Sequence, residues 1–461
     1  MRLSIGGYIM SQQPAENKMG TMPEGRLLLT MSLPMMISML VQAMYNIVDS
    51  IFVARISENA LTAVSLAFPM QSLMIAIAGG TGVGVNALIS RSLGEKNQKK
   101  ANEVAMNGIF IYFLSYLVVA VVGNLLARPF YAMQIKAGQE EIMELGVQYL
   151  SIVLTFSFGI YAQFIFERML QATGRTFFTM ISQALGAVIN IILDPILIFG
   201  LLGFPKLGIA GAAVATVIGQ IAAGTTAFIY NLKRNSDIQL SLKGFKPNVP
   251  MIGRIYQIAV PSIVMQSIGS VMNTGMNLIL MDLSSTAAAV FGVYYKLQSF
   301  FFMPVFGLNN GLIPIISFNF GARKKDRMMR TLKFGYMIAA CFTVLGFVCF
   351  MAIPQVLLSF FSASEAMIEI GVPALRIIGI HFLLAWISIV NGSLFQAVGK
   401  AMYSLYVSVS RQLVVLLPAA WILAKLGGLT LIWWAFPLAE LMSVLVSLIC
   451  LGSVKKMLSE M

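Results

Sequence analysis

Twelve long apolar segments dominate this sequence of 461 residues, and they restrict it to folds that cross a lipid bilayer. About 20 helical residues, rising roughly 1.5 Å each, span the hydrocarbon core, and each segment is at least that long. The chain is 58% hydrophobic and only 11% charged, whereas soluble domains carry about 25% charged residues. We therefore predict an all-α polytopic membrane protein with twelve transmembrane helices. The segments lie at residues 27–56, 60–89, 103–127, 145–170, 176–201, 208–231, 254–283, 287–318, 331–353, 370–397, 401–425 and 429–452.

A basic stretch separates the first six segments from the last six, and it is predicted to be a linker outside the membrane. Its basic residues are Lys233, Arg234, Lys243 and Lys246. Residues 10–26 are polar and are predicted to form a disordered or surface segment, with Met10 as an alternative start to Met1. The predicted parts are a cytoplasmic N-terminal segment at 1–26, an N-lobe at 27–231, a cytoplasmic linker at 232–253, a C-lobe at 254–452 and a cytoplasmic tail at 453–461.

The two halves repeat each other at a nearly constant spacing. At an offset of 225, the sequence QATGR at 171–175 corresponds to QAVGK at 396–400. At an offset of 227, the matching pairs are Leu33-Pro34 with Val260-Pro261, Asn46 with Asn273, Gln71-Ser72 with Gln298-Ser299, Ser90 with Ser317, and Gly94 with Gly321. Because each half has an even number of spans, both halves enter the membrane from the same side. Two parallel six-helix bundles of this kind suit alternating access around a central site.

Lysine and arginine are concentrated on one side of the predicted topology. With the N-terminus inside, the inner loops and tails hold 23 of the 31 basic residues and the outer loops hold five. Short cytoplasmic loops of membrane proteins are enriched in these residues. Both termini are therefore predicted to be cytoplasmic, and the net charge of +13 requires no nucleic-acid partner.

The scarcity of cysteine and histidine argues against several classes of site. Cys341, Cys349 and Cys450 all lie inside apolar segments, so neither disulfides nor metal clusters are predicted. A single histidine, His381, argues against a histidine-based metalloenzyme. No Walker loop occurs, so a pump driven by its own ATP hydrolysis is not predicted.

The first apolar segment contains a carboxylate, Asp49. Ser38, Gln42, Tyr45 and Asp49 are spaced 4, 3 and 4 apart, so they form one stripe along a helix. A carboxylate near the bilayer centre costs about 2.5–3.5 kcal/mol, so we expect Asp49 to face protein or water, as residues of ion pathways do. An interfacial or helix-capping aspartate is the alternative.

A second carboxylate, Asp194, lies in the fifth segment. Asn190 and Asp194 are one helical turn apart and share a helix face, and Pro195 is expected to free a carbonyl one turn earlier. Asp49 and Asp194 follow the basic inner ends of their segments by similar lengths of helix. The two carboxylates are therefore expected at similar depth in the outer half of the membrane.

The chain resembles the MATE (multidrug and toxic compound extrusion) transporters over roughly residues 20–455. The stretches that carry the resemblance are LPMMISMLVQAMYNIVDSIFVA at 33–54, ALTAVSLAFP at 60–69, GVGVNALISRSLGEKN at 82–97, ERMLQATGR at 167–175, NIILDPILIFG at 190–200, GIAGAAVATVIGQ at 208–220, IPIISFNFGARKKD at 313–326 and LFQAVGKAM at 394–402. The resemblance implies two six-helix lobes around a cleft in the cytoplasmic membrane of a bacterium. It also implies exchange of an inward cation for an outgoing amphipathic, often cationic, compound.

The resemblance implies a cation site in the N-terminal lobe at Asp49, Asn190, Asp194 and Thr216. The two carboxylates are expected to hold one proton between them, or to bind Na⁺ together with Asn190. No catalytic residue and no cofactor other than this coupling ion, H⁺ or Na⁺, is predicted. Other members of the family place acids on the seventh and tenth spans, and the corresponding positions here, around Gly269 and within residues 377–396, hold no carboxylate.

Polar residues inside apolar segments are candidates for the drug cavity, because they are expected to face the cleft or another helix. The candidates are Gln42, Tyr45, Glu167, Asn273, Asn277, Gln298, Asn309 and Asn310. Glu167 and Arg168 are candidates for a gating ion pair or a substrate anchor, and one arrangement has Arg168 snorkelling while Glu167 faces the cavity. His381 is predicted to be a buried hydrogen-bonded residue rather than a proton relay. Asp282 and Glu440 fit no coupling pattern. The partners are amphipathic or cationic drugs and the lipid bilayer, and the chain is expected to be a monomer.

Three alternatives to an antiporter remain. A flippase for a lipid-linked saccharide or another lipid shares the two-lobe plan, but arginines that would bind pyrophosphate are few in the spans. A membrane-embedded enzyme needs a nucleophile and base, or metal ligands, in a cluster. A channel would need no coupling carboxylate.

Overall fold

The computed structural model describes residues 17–135, 138–241, 243–361 and 363–460. These residues form helices with short connections, and no β-strand occurs among them. Residues 1–16, with both candidate start methionines, and the last residue of the predicted tail lie outside the described part of the chain. The α-helices are α1 Lys18–Thr21, α2 Glu24–Ala54, α3 Glu58–Gly94, α4 Gln98–Ala132, α5 Glu140–Thr155, α6 Phe158–Ala172, α7 Thr176–Phe199, α8 Ile209–Arg234, α9 Val249–Leu283, α10 Ser285–Gly321, α11 Lys325–Ala352, α12 Pro354–Ser359, α13 Glu365–Gly379, α14 Phe382–Ala397, α15 Ala401–Val409, α16 Leu417–Ile432 and α17 Ala435–Ser459.

The twelve-span prediction is confirmed, with one feature that was not foreseen. Ten helices, with α15–α16 counted as one, are long and apolar enough to cross a membrane, and the described residues provide up to twelve spans if each bent helix pair is one crossing. The pair α5–α6 bends by 44° and the pair α13–α14 by 50°. The two breaks lie at matching places in the halves, around Ser157 and His381. A π-helical segment, Ser410–Leu416, joins α15 to α16.

Side-chain caps fix where several of the long helices begin. The hydroxyl of Ser57 accepts from the backbone N–H of Ala60, and that of Ser284 accepts from Ala287, so α3 and α10 begin alike. The side chains of the residues that precede α4 and α9, both asparagines, cap those helices in the same way. Because lipid cannot supply hydrogen bonds, such caps help to satisfy the free N–H groups of a first helical turn.

Helices α2 and α9 pass from one half of the molecule to the other. Near its start, α2 contributes Leu28 and Met31 to a core built mostly from second-half helices, whereas Val53 at its end lies in the core of the first half. Helix α9 does the reverse: Ile255 packs in the first-half core, and Met276 packs in the second. The predicted lobe boundaries stay a prediction, because these two helices belong to both halves.

We call the side that holds the start of α2, the end of α3, the end of α10 and the end of α17 the termini face. Close contacts between the halves lie toward this face, where glycines let helices approach. A Cβ at Gly84 of α3 would lie 2.6 Å from the Ile255 carbonyl oxygen of α9, and one at Gly307 of α10 would lie 2.7 Å from the Met36 backbone of α2. The halves therefore meet tightly at the termini face.

Residues 17–26 are an ordered surface segment, so of the two predicted alternatives, disordered or surface, the disordered one was wrong for these residues. Met19 in α1 is fully buried, and Glu24 begins the long helix α2. The Asn17 amide donates to the Thr173 carbonyl in the first half at 3.2 Å, and the Asn319 amide in the second half donates to the Met19 carbonyl at 3.1 Å. Two methionines, Met19 and Met22, in a polar stretch were too weak a signal to predict this docking.

Candidate functional site

Asp49 and Asp194 lie against each other where α2 packs on α7. Their carboxyl groups are within hydrogen-bonding reach of one another. Asp194 is fully buried, and Asp49 is partly buried. Asp49 Oδ1 is a buried atom with no hydrogen-bond donor among the described residues. Two carboxyl groups can share a hydrogen bond only when one is protonated, and otherwise they need a cation between them.

Asn190 and Thr216 complete this cluster from α7 and α8. When the Asn190 amide is oriented to satisfy both of its polar atoms, its nitrogen donates to Asp194 Oδ2 at 3.2 Å. Its oxygen then accepts from the Thr216 backbone N–H at 3.1 Å and from the Thr216 hydroxyl at 3.3 Å. The sequence-predicted set of Asp49, Asn190, Asp194 and Thr216 is therefore one group of neighbours in space.

Two tyrosines and a glutamine surround the carboxyl pair. The phenols of Tyr45 on α2 and Tyr149 on α5 lie within electrostatic range of both aspartates. The Gln71 amide of α3 donates to the Tyr149 hydroxyl at 3.2 Å. Tyr45 was a candidate from its place on the Asp49 stripe. Gln71 and Tyr149 were missed, although Gln71 is a polar residue inside an apolar segment.

The cluster is rich in oxygen ligands. With Asn190 in this orientation it offers two carboxylates and a hydroxyl, which suit a hard cation such as Na⁺ or a proton. Within the described residues, no group of three or more His, Cys, Asp and Glu side chains lies close enough to hold a metal ion. This donor set fits H⁺ or Na⁺ better than a transition metal.

The matching position in the second half is apolar. At the 227 offset Asp49 corresponds to Met276, which is fully buried, and Asp194-Pro195 matches Leu417-Pro418 at an offset of 223. A Cβ at the neighbouring Gly275 would lie 2.9 Å from the Leu417 side chain. The carboxyl pair is thus a feature of one half only.

The remaining cavity candidates lie on α2, α9 and α10. Gln42 is exposed on α2, and Asn277 donates to Asn273 on α9 at 2.7 Å. Gln298 is partly buried on α10, and Asn309 Oδ1 is buried without a partner among the described residues. Their place in a drug cavity stays a prediction.

Glu167 and Arg168 differ from the predicted arrangement. Glu167 is 3% exposed and accepts hydrogen bonds within the first half from Gln163 at 3.1 Å and Gln183 at 2.6 Å. Arg168 does not snorkel to the membrane surface. Its guanidinium donates to Asn310 of α10 at 2.9 Å and so joins the two halves. Arg168 and Asn310, rather than Glu167, mark the boundary between the halves.

Comparisons with known proteins agree with this architecture. The family model described as MatE matches twice, over residues 34–196 and 261–422, once in each half. The multidrug export protein MepA of Staphylococcus aureus (strain MRSA252) is 28% identical over 430 residues, which cover 93% of each chain. A crystal structure of MATE in complex with MaL6 has a TM-score of 0.90 at 23% identity and covers 97% of this chain and 100% of that one. An outward-facing multidrug resistance MATE family transporter of the MOP superfamily also has a TM-score of 0.90, at 22% identity, and covers 97% of this chain and 99% of that one.

Proposed function

This chain belongs to the MatE family, and from that premise we propose that it exports amphipathic, often cationic, drugs across a bacterial plasma membrane in exchange for H⁺ or Na⁺. The relatives named multidrug export proteins match nearly their whole length, which supports export as the activity. We assign no catalytic residue, and we expect a monomer, because both halves of the transport path lie in one chain.

The contact between Asp49 and Asp194 is the observation that carries the proposal. Two ionised carboxylates repel each other strongly in a medium of low dielectric constant. The contact between the two groups is therefore stable when the pair holds a proton or Na⁺, and it is unfavourable when both groups are ionised with no cation bound. Asp49 is on α2, which also packs against the second half, so loading and unloading the pair changes how firmly α2 is held to α7.

Transport follows from competition for this cluster. A cation that enters from outside stabilises the contact between α2 and α7 and disfavours a bound cationic drug. A drug that enters from the cytoplasm disfavours the bound cation and weakens the contact between α2 and α7. Each ligand therefore shifts the equilibrium toward the conformation that it binds better. We place the termini face in the cytoplasm, because most lysines and arginines lie on that side.

The test is drug efflux by Asp49→Asn and Asp194→Asn variants, with Asp282→Asn as the matched control. Asp282 is exposed at the end of α9, so its loss leaves the carboxyl pair intact. We expect the first two variants to lose ethidium efflux at unchanged membrane levels, and the control to keep it. Full efflux by both D49N and D194N would contradict the coupling role.

A second measurement identifies the coupling ion. Ethidium transport by proteoliposomes is followed first under an imposed Na⁺ gradient and then under an imposed proton gradient. One of the two gradients is expected to drive transport in the wild type and in D282N. Transport that responds to neither gradient would contradict antiport.

A further inference from the structure

A second buried ionisable cluster lies in the other half of the molecule. His381, at the break between α13 and α14, is 4% exposed, and Glu440 of α17 is 2% exposed. The imidazole Nδ1 lies 3.6 Å from Glu440 Oε2, and Nε2 lies 3.1 Å from the Tyr294 hydroxyl of α10. Burying ionisable groups within the membrane is costly, so such groups are usually functional.

Glu440 is shared between His381 and an arginine. Arg411 Nη1, on the π-helical segment, lies 3.4 Å from the same Oε2 atom, and the Ser388 hydroxyl donates to Oε1 at 3.2 Å. The His381 and Arg411 nitrogens both lie farther from Glu440 than the ordinary length of a charged hydrogen bond, about 2.7–2.9 Å. Arg411 is 30% exposed, so it can turn away from the carboxylate, whereas His381 is enclosed.

The charged and titratable neighbours of this cluster come from every element packed around it. They are Tyr294 and Tyr295 on α10, Arg411 on the π-helical segment and Glu440 on α17. With a neutral imidazole the cluster has no net charge, because Arg411 balances Glu440. With an imidazolium the cluster carries one positive charge. The positive ring attracts the Glu440 carboxylate, which favours its movement from Arg411 toward His381.

The imidazole can be satisfied in either protonation state. In the neutral ring, Nδ1–H faces Glu440 and Nε2 accepts from the Tyr294 hydroxyl. When Nε2 takes up a proton, the Tyr294 hydroxyl turns and accepts from it. The uptake forms one N–H bond and breaks no bond in the protein.

A buried polar stripe runs from this cluster toward the termini face. Glu440, Ser443 and Ser447 share one face of α17, and Ser443 and Ser447 are fully buried. The Asn391 amide of α14 donates to the Ser447 hydroxyl at 2.7 Å, and the Tyr336 hydroxyl donates to Asn391. The Ser443 hydroxyl is a buried group without a hydrogen-bond partner among the described residues. Hydroxyl and amide groups in a row are the elements of a proton path.

We propose that His381 is a second proton-binding site, separate from the Asp49–Asp194 pair and loaded through the α14–α17 stripe. Protonation of His381 strengthens its interaction with the Glu440 carboxylate and weakens the interaction of that carboxylate with Arg411, so the Arg411 side chain is free to move. The place in the fold supports this role: at an offset of 224, Ala215-Thr216 matches Ala439-Glu440, so Glu440 stands where the first half has a member of its cation cluster. The inference rests on the proposed transport function for its consequence, but proton binding itself can be tested without transport.

The direct test uses the fact that the chain has one histidine. The full-length protein, purified through a tag without histidine and labelled with ¹³C,¹⁵N-histidine, gives the NMR signals of one imidazole. We expect these signals to titrate reversibly between about pH 5 and 8, the range in which histidine changes charge. In Glu440→Gln the imidazolium loses its carboxylate, so a smaller fraction is protonated at each pH. A ring that keeps one protonation state over this range would overturn the proposal.

The transport test separates this site from the carboxyl pair. His381→Gln keeps a side chain that can hydrogen-bond to Tyr294 but cannot titrate. We expect H381Q to transport ethidium and to lose the pH dependence of the wild type over the range in which the NMR signals titrate. Thr343→Val is the control, because Thr343 is fully buried in the same half and bonds only within its own helix.

The outcomes of the two tests are independent. A wild-type pH profile in H381Q would overturn the role of this site even if the ring titrates. Full efflux by D49N and D194N would instead contradict the proposed coupling pair and leave the NMR result untouched.

Discussion

Gly94 and Gly321 occupy matching positions in the two halves, and each lies against the backbone of the other's helix at the termini face. A Cβ at Gly94 would overlap the carbonyl oxygen of Phe318, and one at Gly321 would overlap that of Arg91. Arg91 and Phe318 are themselves related by the same offset as the two glycines. The repeat in the sequence is thus a reciprocal contact in space, and it closes the termini face where α3 and α10 cross.

We predict that Gly94→Val and Gly321→Val open this crossing and reduce drug efflux. The added side chain has no space, and overpacking of this kind costs about 1–3 kcal/mol. Gly452→Val on α17 is the matched control, because nothing lies within 4 Å of its Cβ position. The measurement is ethidium efflux at equal expression, with thermal unfolding in detergent. Wild-type efflux in both G94V and G321V would show that this crossing is not needed.

A second contact between the halves is the hydrogen bond from Arg168 to Asn310. We expect Arg168→Gln and Asn310→Leu each to lower stability, because a hydrogen bond to a charged group contributes about 1.5–3 kcal/mol. The double variant should lose less than the sum of the two losses, since both changes remove the same contact. The measurement is the free energy of unfolding in a double-mutant cycle. Purely additive losses would mean that the contact does not stabilise the closed termini face.

The hydroxyl of Thr216 gives a test of the cation cluster that keeps both carboxylates. We predict that Thr216→Val, which has nearly the same shape, weakens the dependence of efflux on the coupling ion, whereas Thr216→Ser retains it. The valine variant leaves the Asn190 oxygen with only the backbone N–H of residue 216 as a donor. The measurement is the concentration of Na⁺ or H⁺ that gives half-maximal ethidium transport. Equal values for the two variants would exclude the hydroxyl from the cluster.

Much of the fold was predictable, because the lengths and spacing of the apolar segments indicate both the membrane spans and the internal repeat. The helices α2, α3 and α10 each contain a predicted apolar segment or nearly all of it, and they continue beyond it at the termini face. The similar depth of Asp49 and Asp194 was also predictable from helix length, whereas their meeting in one cluster was implied by the family resemblance. Periodicity and depth are local properties of a chain, so they are visible without coordinates.

The features that were missed depend on tertiary packing. The bends at Ser157 and His381 occur without proline at the break, so they had no local signal. The passage of α2 and α9 between the halves depends on which helices they meet. Tyr149 joins the cation cluster from α5 because that helix packs beside α3, and no spacing rule relates it to Asp49.

The docked N-terminal segment leads to a last prediction, centred on Arg327 of α11. Its guanidinium is 17% exposed, lies 3.5 Å from the Glu24 carboxylate, and donates to the Met22 carbonyl at 2.6 Å and to Asn319 at 3.3 Å. Arg327→Gln should therefore release residues 17–22, lower the unfolding temperature and slow efflux. Arg330→Gln is the control, because Arg330 is 64% exposed and approaches only Glu24, at 3.9 Å, and exposed ion pairs contribute about 0–1 kcal/mol. Differential scanning fluorimetry and ethidium efflux measure both effects, and equal behaviour of R327Q and R330Q would show that the segment does not hold the halves together.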